Sequence, residues 1–248
     1  TVLGDEFGTL GQGSCIAFPP MSLFGTSSMH IGEGTMIGRA SSLGVGYGPD
    51  DRNVPERGLV IGKRCVVGAR MTITAHESVV IGDDVWFGQD VYISDANHGY
   101  QDPDTPIGLQ FGKHDRVEIG SGSWIGRGAV ILPGTRIGRN VVVGASAVVR
   151  GEIPDHSVAV GAPAKVVRRL ERGGGWVSTS RPDDVLPVLS TDEVAKAIGL
   201  FVASPRAPSS RSGSPSSTGG DAAVGLGAVR LGTDDQDANA TGMRTSCT

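Results

Sequence analysis

The sequence has few cysteines and few aromatic residues, and it contains no long hydrophobic run. Its three cysteines, Cys15, Cys65 and Cys247, are odd in number and widely separated, so we expect free thiols rather than a framework of disulfides. No stretch approaches the roughly 20 consecutive apolar residues of a membrane-spanning helix. The net charge of −4 offers no surplus of positive charge for nucleic acid. We therefore expect a cytoplasmic protein with neither a membrane span nor a nucleic-acid partner.

Glycine, by contrast, is abundant, with 39 among 248 residues, and apolar residues return at intervals of six. Four runs show this spacing: Ile31, Ile37, Leu43; Ile61, Val67, Ile73; Ile81, Phe87, Ile93; and Ile119, Ile125, Ile131, Ile137, Val143, Val149. A period of six fits neither an α-helix nor a simple strand, and the strands of a sandwich usually recur at about 8–12 residues. It is typical of a solenoid in which each hexad forms one short strand and one turn. We predict an all-β fold, a single-stranded parallel β-helix with three hexads in each triangular coil.

The predicted β-helix domain spans residues 1–172 and is interrupted twice. Residues 1–30 contain adjacent prolines and several glycines, and we expect them to form an irregular lead-in segment. Turn-forming residues predict surface loops at 44–57 and 98–116. The hexads continue between and after these loops to about residue 160.

The chain changes character where the hexads end. The basic segment 162–172 is predicted to form a short C-terminal helix. In the extension 173–203, Ser190 and Glu193 have the spacing of a capping box, which predicts another short helix. Residues 204–248 are mainly small and polar and show no periodicity, so we expect a disordered tail.

Three motifs point to a family. The second loop lies within the sequence ISDANHGYQDPDTPIGL (93–109), and IGSGSWIGRGAVILPGTRIG and IPDHSVAVGAPAKVVRRL follow it. In this order the motifs resemble the hexapeptide-repeat acyltransferases, in particular the maltose and galactoside O-acetyltransferases and polysaccharide-modifying O-acetyltransferases. The resemblance covers roughly residues 31–170. It implies a homotrimer with active sites between subunits, and a left-handed β-helix, a hand that follows from the resemblance alone because crossovers between parallel strands are otherwise right-handed.

His98 falls at the position of the family's catalytic histidine, where the second loop leaves the β-helix. An imidazole that titrates near neutral pH can take the proton from a hydroxyl as that hydroxyl attacks an acyl-CoA thioester, and can pass it to the departing thiolate. This reaction needs no covalent acyl-enzyme, and no cysteine lies nearby in the sequence. Asp95, Asn97 and Asp102 are close enough in sequence to orient the ring, and the sequence does not choose among them.

The resemblance also implies a binding site for acetyl-CoA or another acyl-CoA. Trp124 falls where the family has a tryptophan beside the pantetheine channel, and Gly88 and Ala145 fall at small residues that line it. Basic side chains suit the CoA phosphates because they form charge-assisted hydrogen bonds. The candidate cofactor-binding residues are Gly88, Trp124, Arg127, Ala145, Lys165, Arg168 and Arg169.

The acceptor half departs from the sugar acetyltransferases. An asparagine of the galactoside enzymes is replaced by Gly68, and an acceptor-binding aspartate falls at His76. These departures argue against a galactoside acetyltransferase in the narrow sense, and we expect a hydroxyl of another sugar, glycan or glycolipid intermediate. N-acylation of an amino sugar or antibiotic-like amine is the alternative. The candidate acceptor-binding residues are Arg70, Thr74, His76, Asp95 and Asn97.

Two other classes of protein are alternatives for a solenoid of this kind. Zinc carbonic anhydrases of this shape have two histidines five residues apart, and no two of the five histidines here have that spacing, so we expect no metal site. A non-catalytic, structural β-helix would have no need of His98, Trp124 and the basic run 165–169 together. We therefore predict an enzyme, a CoA-dependent O-acyltransferase.

Overall fold

The computed structural model describes residues 6–197. Its strands are, in chain order, Thr9–Leu10 (β1), Cys15–Ile16 (β2), Ser22–Phe24 (β3), Met29–Ile31 (β4), Met36–Ile37 (β5), Ser42–Val45 (β6), Leu59–Ile61 (β7), Val66–Val67 (β8), Thr72–Ala75 (β9), Val79–Ile81 (β10), Trp86–Phe87 (β11), Tyr92–Ser94 (β12), Val117–Ile119 (β13), Trp124–Ile125 (β14), Val130–Ile131 (β15), Arg136–Ile137 (β16), Val142–Val143 (β17), Val148–Val149 (β18), Glu152–Ile153 (β19), Ser157–Val160 (β20), Lys165–Glu171 (β21), Gly175–Ser178 (β22) and Val185–Leu186 (β23). Two short 3₁₀ turns, Thr26–Ser28 and Ile107–Leu109, lie between strands, and one α-helix (α1) spans Thr191–Ala197.

The strands form three sheets, which are the three faces of a parallel β-helix. Face A contains β1, β4, β7, β10, β13, β16 and β19, and face C contains β3, β6, β9, β12, β15 and β18. Face B contains the second strand of each coil, namely β2, β5, β8, β11, β14, β17 and β20. Strands β21, β22 and β23 extend this face. Each coil thus visits faces A, B and C in turn, which confirms the predicted parallel β-helix.

The six-residue spacing arises because one residue of each hexad points into the core. Ile119 pairs in register with Ile81 of the preceding coil and with Ile137 of the following coil, and all three are almost completely buried. Their neighbours on the strands point outward and are partly or fully exposed. The apolar positions of all four sequence runs form one continuous core.

Glycines at two of the three corners let successive coils stack closely. A Cβ atom on Gly88 would lie 2.5 Å from the backbone nitrogen of Arg127 in the next coil. At the corner after face A, a Cβ on Gly82 would lie 2.7 Å from the backbone nitrogen of Ser121 in the next coil. Real Cβ atoms do not come this close to backbone, so a side chain at either position would push the coils apart.

Both interruptions leave the β-helix at the third corner, between faces C and A. The first loop, residues 46–58, joins β6 to β7, and the second, residues 95–116, joins β12 to β13. These bounds differ slightly from the predicted 44–57 and 98–116, because β6 continues to Val45 and β12 ends at Ser94. Since face-C strands stack directly on one another, the two loops leave from the same edge of the molecule.

The predicted irregular lead-in over residues 1–30 is wrong for the described part of that segment. Strands β1, β2 and β3 form a complete first coil, in which Leu10 pairs with Ile31 and Ile16 pairs with Ile37. Leu23 continues the pattern by pairing with Leu43. The spacing from Ile16 to Leu23 is seven rather than six, so this coil does not show the six-residue period.

The predicted helix over residues 162–172 is also wrong. Strand β21 turns back and pairs antiparallel with β20, and β22 and β23 continue the antiparallel sheet. The last parallel strand of face B has an open edge with unpaired backbone groups, and β21 satisfies them.

The extension after β23 contains the second predicted helix. It is present as α1, and its capping box forms: the Ser190 hydroxyl accepts from the Glu193 backbone N–H at 3.2 Å, and the Glu193 carboxylate accepts from the Ser190 N–H at 2.7 Å.

Cys15 and Cys65 are free thiols, whereas Cys247 and the predicted disordered tail, 204–248, lie outside the described residues. No helix within residues 6–197 is long and apolar enough to cross a membrane.

Candidate active site

His98 lies at the third corner, four residues beyond the end of β12. Its backbone forms an isolated antiparallel bridge with Phe111 across the second loop, and its side chain is exposed. His98 lines two cavities, one on each side of it along the axis of the β-helix. An imidazole shared by two cavities can contact two different molecules.

The cavity towards the N-terminal coils, which we call the aromatic cavity, has a volume of about 330 Å³. Rings and small residues line it: Phe24, Gly46, Tyr47, Thr74, His76, Ala96, Asn97, His98, Gly108, Gln110, Phe111, Gly112 and His114. No Asp, Glu, Lys or Arg side chain is among these lining residues. The cavity is therefore polar only through hydroxyl, amide and imidazole groups.

Three rings in the aromatic cavity contact one another. The Tyr47 hydroxyl lies 2.8 Å from Nε2 of His114, within hydrogen-bond distance. The His76 ring stacks on the His114 ring with centroids 4.7 Å apart, and Tyr47 meets His76 edge-on at 4.4 Å. We call these three residues the ring cluster.

Burial of the His76 ring disfavours its charged form. Desolvation lowers its pKa below the usual histidine range, the neighbouring His114 lowers it further, and the Asp95 carboxylate partly opposes both. The Nδ1 atoms of His76 and His114 are both buried without a hydrogen-bond partner. A positive charge on the His76 ring is therefore disfavoured, although the Asp95 carboxylate lies 3.9 Å from its Nδ1 atom.

Asp95 is completely buried and holds the turn that carries His76. Its carboxylate accepts hydrogen bonds from the backbone N–H groups of His76, Glu77 and Ser78 at 2.8, 2.8 and 2.7 Å. With these three donors bound, the carboxylate stabilises the turn beneath the cavity and does not line it.

The residues predicted to orient His98 have different surroundings. Asp102 accepts from the Thr105 hydroxyl at 2.6 Å and from the Asp104 N–H at 3.0 Å, so it is occupied within its own loop. Asn97 lines both cavities next to His98. In the part of the chain that the structure describes, the His98 ring has no hydrogen-bond partner.

The predicted acceptor-binding residues do not all lie together. Thr74, His76 and Asn97 line the aromatic cavity, whereas Arg70 precedes β9 and lies at the corner between faces B and C. Four residues of extended chain, about 13 Å, separate Arg70 from Thr74. Its guanidinium pairs with Asp90 at 2.6 Å rather than facing the cavity.

The second cavity, which we call the polar cavity, lies towards the C-terminal coils and has a volume of about 450 Å³. It extends from His98 to the third corner of the following coils, where Leu132 and Arg150 line it. Lys113 also lines it. Asp115 lines the cavity as well and forms an ion pair with Lys113. The lining is therefore polar with one net positive charge, which comes from Arg150, and it suits a polar ligand.

The cofactor candidates form a column at the corner between faces B and C. The backbone of Gly88 lies directly against the backbone of Arg127 in the next coil. In the same way, a Cβ on Gly126 would lie 2.5 Å from the backbone nitrogen of Ala145. Lys165 pairs with Val160 at the end of β20, which continues this column. Arg127 is mostly exposed and pairs with Asp90 at 3.0 Å.

Trp124 lies on the outer surface of face B, next to the column. It pairs with Trp86 of the preceding coil, and the two residues are 55 % and 58 % exposed. Arg168 and Arg169 lie further back along β21. Arg168 is engaged: its guanidinium pairs with the Asp184 carboxylate at 2.7 Å and donates to two backbone carbonyls.

Within one chain, His98 and the cofactor candidates therefore occupy different corners. His98 lies where face C meets face A, and the column that begins at Gly88 lies where face B meets face C. A face-C strand separates them in every coil.

Three residues that line the aromatic cavity were not predicted from the sequence. Tyr47, Phe111 and His114 lie in the two interruptions, which are far apart in sequence. Both interruptions follow a face-C hexad, and this shared position in the repeat could have predicted that the two loops meet at one corner. Among residues 6–197, no three histidine, cysteine or acidic side chains converge as metal ligands.

Comparisons with known proteins agree with this architecture. Residues 116–151 match the family described as bacterial transferase hexapeptide (six repeats). Residues 58–94 match the hexapeptide repeat of succinyl-transferase. These matches confirm the resemblance to hexapeptide-repeat acyltransferases, and this repeat implies that the β-helix is left-handed.

Individual relatives match over part of their length. The chain is 50 % identical over 80 residues to a probable acetyltransferase of Mycobacterium tuberculosis, covering 32 % of this chain and 27 % of the relative. It is 40 % identical over 85 residues to WbbJ of Escherichia coli, a provisionally named lipopolysaccharide biosynthesis O-acetyl transferase, covering 32 % and 43 %. The chain thus spans less than half the length of either relative.

A solved structure shares the fold. The N-acyltransferase AntD of Bacillus cereus, in complex with dTDP and 3-hydroxybutyryl-CoA, superimposes with a TM-score of 0.57 at 20 % identity. The superposition covers 69 % of this chain and 86 % of AntD.

Proposed function

We propose that this protein is a CoA-dependent acyltransferase that moves an acetyl or other short acyl group from acyl-CoA to a hydroxyl of a sugar, glycan or glycolipid intermediate. The observation that carries the proposal is the position of His98 on the shared wall of two cavities with different chemistry. The aromatic cavity suits the acceptor, and the polar cavity suits the arm of acyl-CoA. The relatives named as acetyltransferases support this assignment.

His98 acts as the general base in this proposal. The neutral imidazole takes the proton of the acceptor hydroxyl while the oxygen attacks the thioester carbonyl. The tetrahedral intermediate then collapses, the carbon–sulfur bond breaks, and the imidazolium returns the proton to the thiolate of CoA. The products are the acyl ester and free CoA, and His98 ends in its starting state.

The lining of the aromatic cavity favours a hydroxyl over an amine. An amino sugar is largely protonated at neutral pH, and an ammonium group loses its hydration when it enters a cavity without a carboxylate. A hydroxyl carries no such cost. The likeness to AntD concerns the fold and does not change this preference.

The separation of His98 from the cofactor column supports a homotrimer with shared active sites. In a closed threefold ring, the third corner of one subunit can face the corner between faces B and C of its neighbour. The exposed Trp86 and Trp124 on face B supply apolar surface for such contacts. Because acyl-CoA is an intracellular donor, the proposed activity fits a cytoplasmic protein.

The decisive experiment measures release of the CoA thiol with His98→Asn and with the matched control His156→Asn. His156 lies at another corner and has a backbone φ of 52°, which asparagine tolerates. We expect His98→Asn to lower the turnover number by about 10²–10⁴-fold and the control to retain activity. Retention of more than half the wild-type turnover by His98→Asn at saturating acceptor would reject the role of His98.

Subunit mixing extends the same experiment to the homotrimer. Trp124→Ala and His98→Asn are each purified and assayed alone, and the two variants are also co-expressed with different affinity tags so that mixed trimers can be isolated. If the two half-sites come from neighbouring subunits, random mixing restores about a quarter of the sites in a threefold ring. Activity no greater than the sum of the two separate variants would reject the shared site while leaving the role of His98 intact.

A further inference from the structure

The ring cluster is assembled from three separate segments that meet only at the third corner. Tyr47 comes from the first loop, His76 from the turn after β9, and His114 from the second loop. The contacts given above, a 2.8 Å hydrogen bond and two ring contacts below 5 Å, fix the rings relative to one another. Such preorganisation suits a binding surface.

Folding stability does not account for this cluster. Both imidazole Nδ1 atoms are buried and unpaired, and an unpaired buried polar atom costs free energy that apolar side chains of similar size would avoid. Buried polar atoms that remain unpaired call for a functional explanation. The cluster lies in the same cavity as His98, which supplies that explanation.

The first loop is held so that Tyr47 reaches the cavity. The Asp51 carboxylate accepts from the backbone N–H groups of Tyr47 at 3.0 Å and Asn53 at 2.9 Å. Asp51 itself does not line the cavity. The loop thus presents a ring to the cavity and keeps its carboxylate on the backbone side.

The cavity as a whole is small, ring-lined and uncharged. Its volume of about 330 Å³ is near the lower end for ligand sites. Sugar rings have an apolar face of C–H groups, which packs against aromatic rings, and hydroxyls at the rim, which bond to groups such as Thr74 and Asn97. A charged sugar would lose hydration in this cavity without gaining an ionic partner.

We infer that the ring cluster is the acceptor subsite and that it binds the C–H face of an uncharged sugar ring, with the reacting hydroxyl directed to His98. This inference rests on the proposed function and adds the charge class of the acceptor and the residues that select it. Tyr47, His76 and His114 are the specificity-determining residues, and Tyr47 provides the aromatic surface that can be tested most directly.

The test uses acetyl-CoA and five p-nitrophenyl glycosides as acceptors, with release of the CoA thiol as the readout. Glucoside, galactoside and mannoside are uncharged, whereas glucosaminide and glucuronide carry opposite charges. The wild type is expected to use the best neutral glycoside with a kcat/KM at least tenfold above that for either charged one. Preference for a charged glycoside would overturn the inference and leave acyl transfer standing.

Variants of Tyr47 identify the binding surface. Tyr47→Ala is expected to raise the KM for the neutral acceptor by about tenfold, since an aromatic contact contributes up to about that factor, and to change the KM for acetyl-CoA by less than about twofold. Tyr47→Phe keeps the ring and is expected to lose much less. Tyr92→Phe, on the outer surface of face C, is the control for loss of a tyrosine hydroxyl.

The remaining outcomes are also decisive. An unchanged acceptor KM in a folded Tyr47→Ala protein, or an equal loss in Tyr47→Phe, would overturn the inference without affecting the proposed acyl transfer. Folding is checked by the melting temperature, and Tyr47→Leu, which keeps an apolar side chain but removes the ring, replaces Tyr47→Ala if the latter is unstable. Failure of the wild type to acylate any of the five glycosides, with detectable transfer to another class of acceptor, would overturn the inference alone. Absence of any acyl transfer would overturn both proposals.

Discussion

Replacing Asp95 with asparagine is expected to destabilise the turn under the aromatic cavity. One carboxylate oxygen of Asp95 accepts from the His76 N–H, and the other accepts from the N–H groups of Glu77 and Ser78. An amide keeps one accepting oxygen and replaces the other with an NH₂ group. If the oxygen stays with Glu77 and Ser78, the NH₂ group faces the His76 N–H, donor against donor.

The magnitude follows from the number of bonds lost. A hydrogen bond to a charged group contributes about 1.5–3 kcal/mol, and an unpaired buried donor has a similar cost. Asp95→Asn loses one such bond, so we expect the free energy of unfolding to fall by about 2 kcal/mol. For a protein of this size, that corresponds to a melting temperature lower by about 4–8 °C. Asp95→Ala leaves three donors unpaired and should lose about twice as much or more.

The assay is thermal unfolding followed by circular dichroism, with Asp115→Asn as the matched control. Asp115 lies in the same loop, but its side chain is 39 % exposed and pairs with Lys113 at the surface. Loss of an exposed ion pair costs less than about 1 kcal/mol. A melting temperature for Asp95→Asn within 1 °C of the wild type would refute the three-bond role of this carboxylate.

The remaining predictions concern protonation and the basic strand. Because burial lowers the pKa of His76, the unfolded chain binds a proton at this residue below about pH 6.5 before the folded chain does. The free energy of unfolding should therefore fall as the pH is lowered from 7 towards the folded pKa, and His76→Gln should flatten this slope in urea titrations at pH 7, 6 and 5. Lys165→Ala should raise the KM for acyl-CoA by about tenfold, as expected for a lost charged hydrogen bond, and leave the melting temperature unchanged. Arg168→Ala should lower the melting temperature, because it removes the contacts with Asp184; an unchanged melting temperature would contradict that anchoring role.

The sequence was sufficient to predict the core because the repeat is local. Each hexad contains its own inward residue, so Ile119 and Ile137 are identified without knowing what they contact. Strand β21 was misjudged because its partner is the edge of face B, and that edge exists only after the whole β-helix has formed. A basic segment at the end of a chain does not show from its own residues whether it will meet such an edge.

The site was predictable only in part for the same reason. The resemblance located His98, and the structure places it beside Thr74 and His76 in one cavity. Tyr47 and His114 lie 67 residues apart in the chain, and no periodicity relates them. Arg70 was grouped with Thr74 by closeness in sequence, but four residues of extended strand lead from one corner to the next.

The corners of this β-helix differ in whether they allow the chain to change length. After strands of faces A and B, glycines such as Gly82 and Gly88 leave no room for a side chain, so these corners fix the spacing of the coils. After four of the six strands of face C, β9, β12, β15 and β18, the next residues are His76, Asp95, Leu132 and Arg150. Segments of different lengths leave and return at this corner without altering the register of any strand. Exchanging the 46–58 or 95–116 segment as a unit would therefore change the lining of the aromatic cavity, while the repeats and the column of cofactor candidates stay as they are.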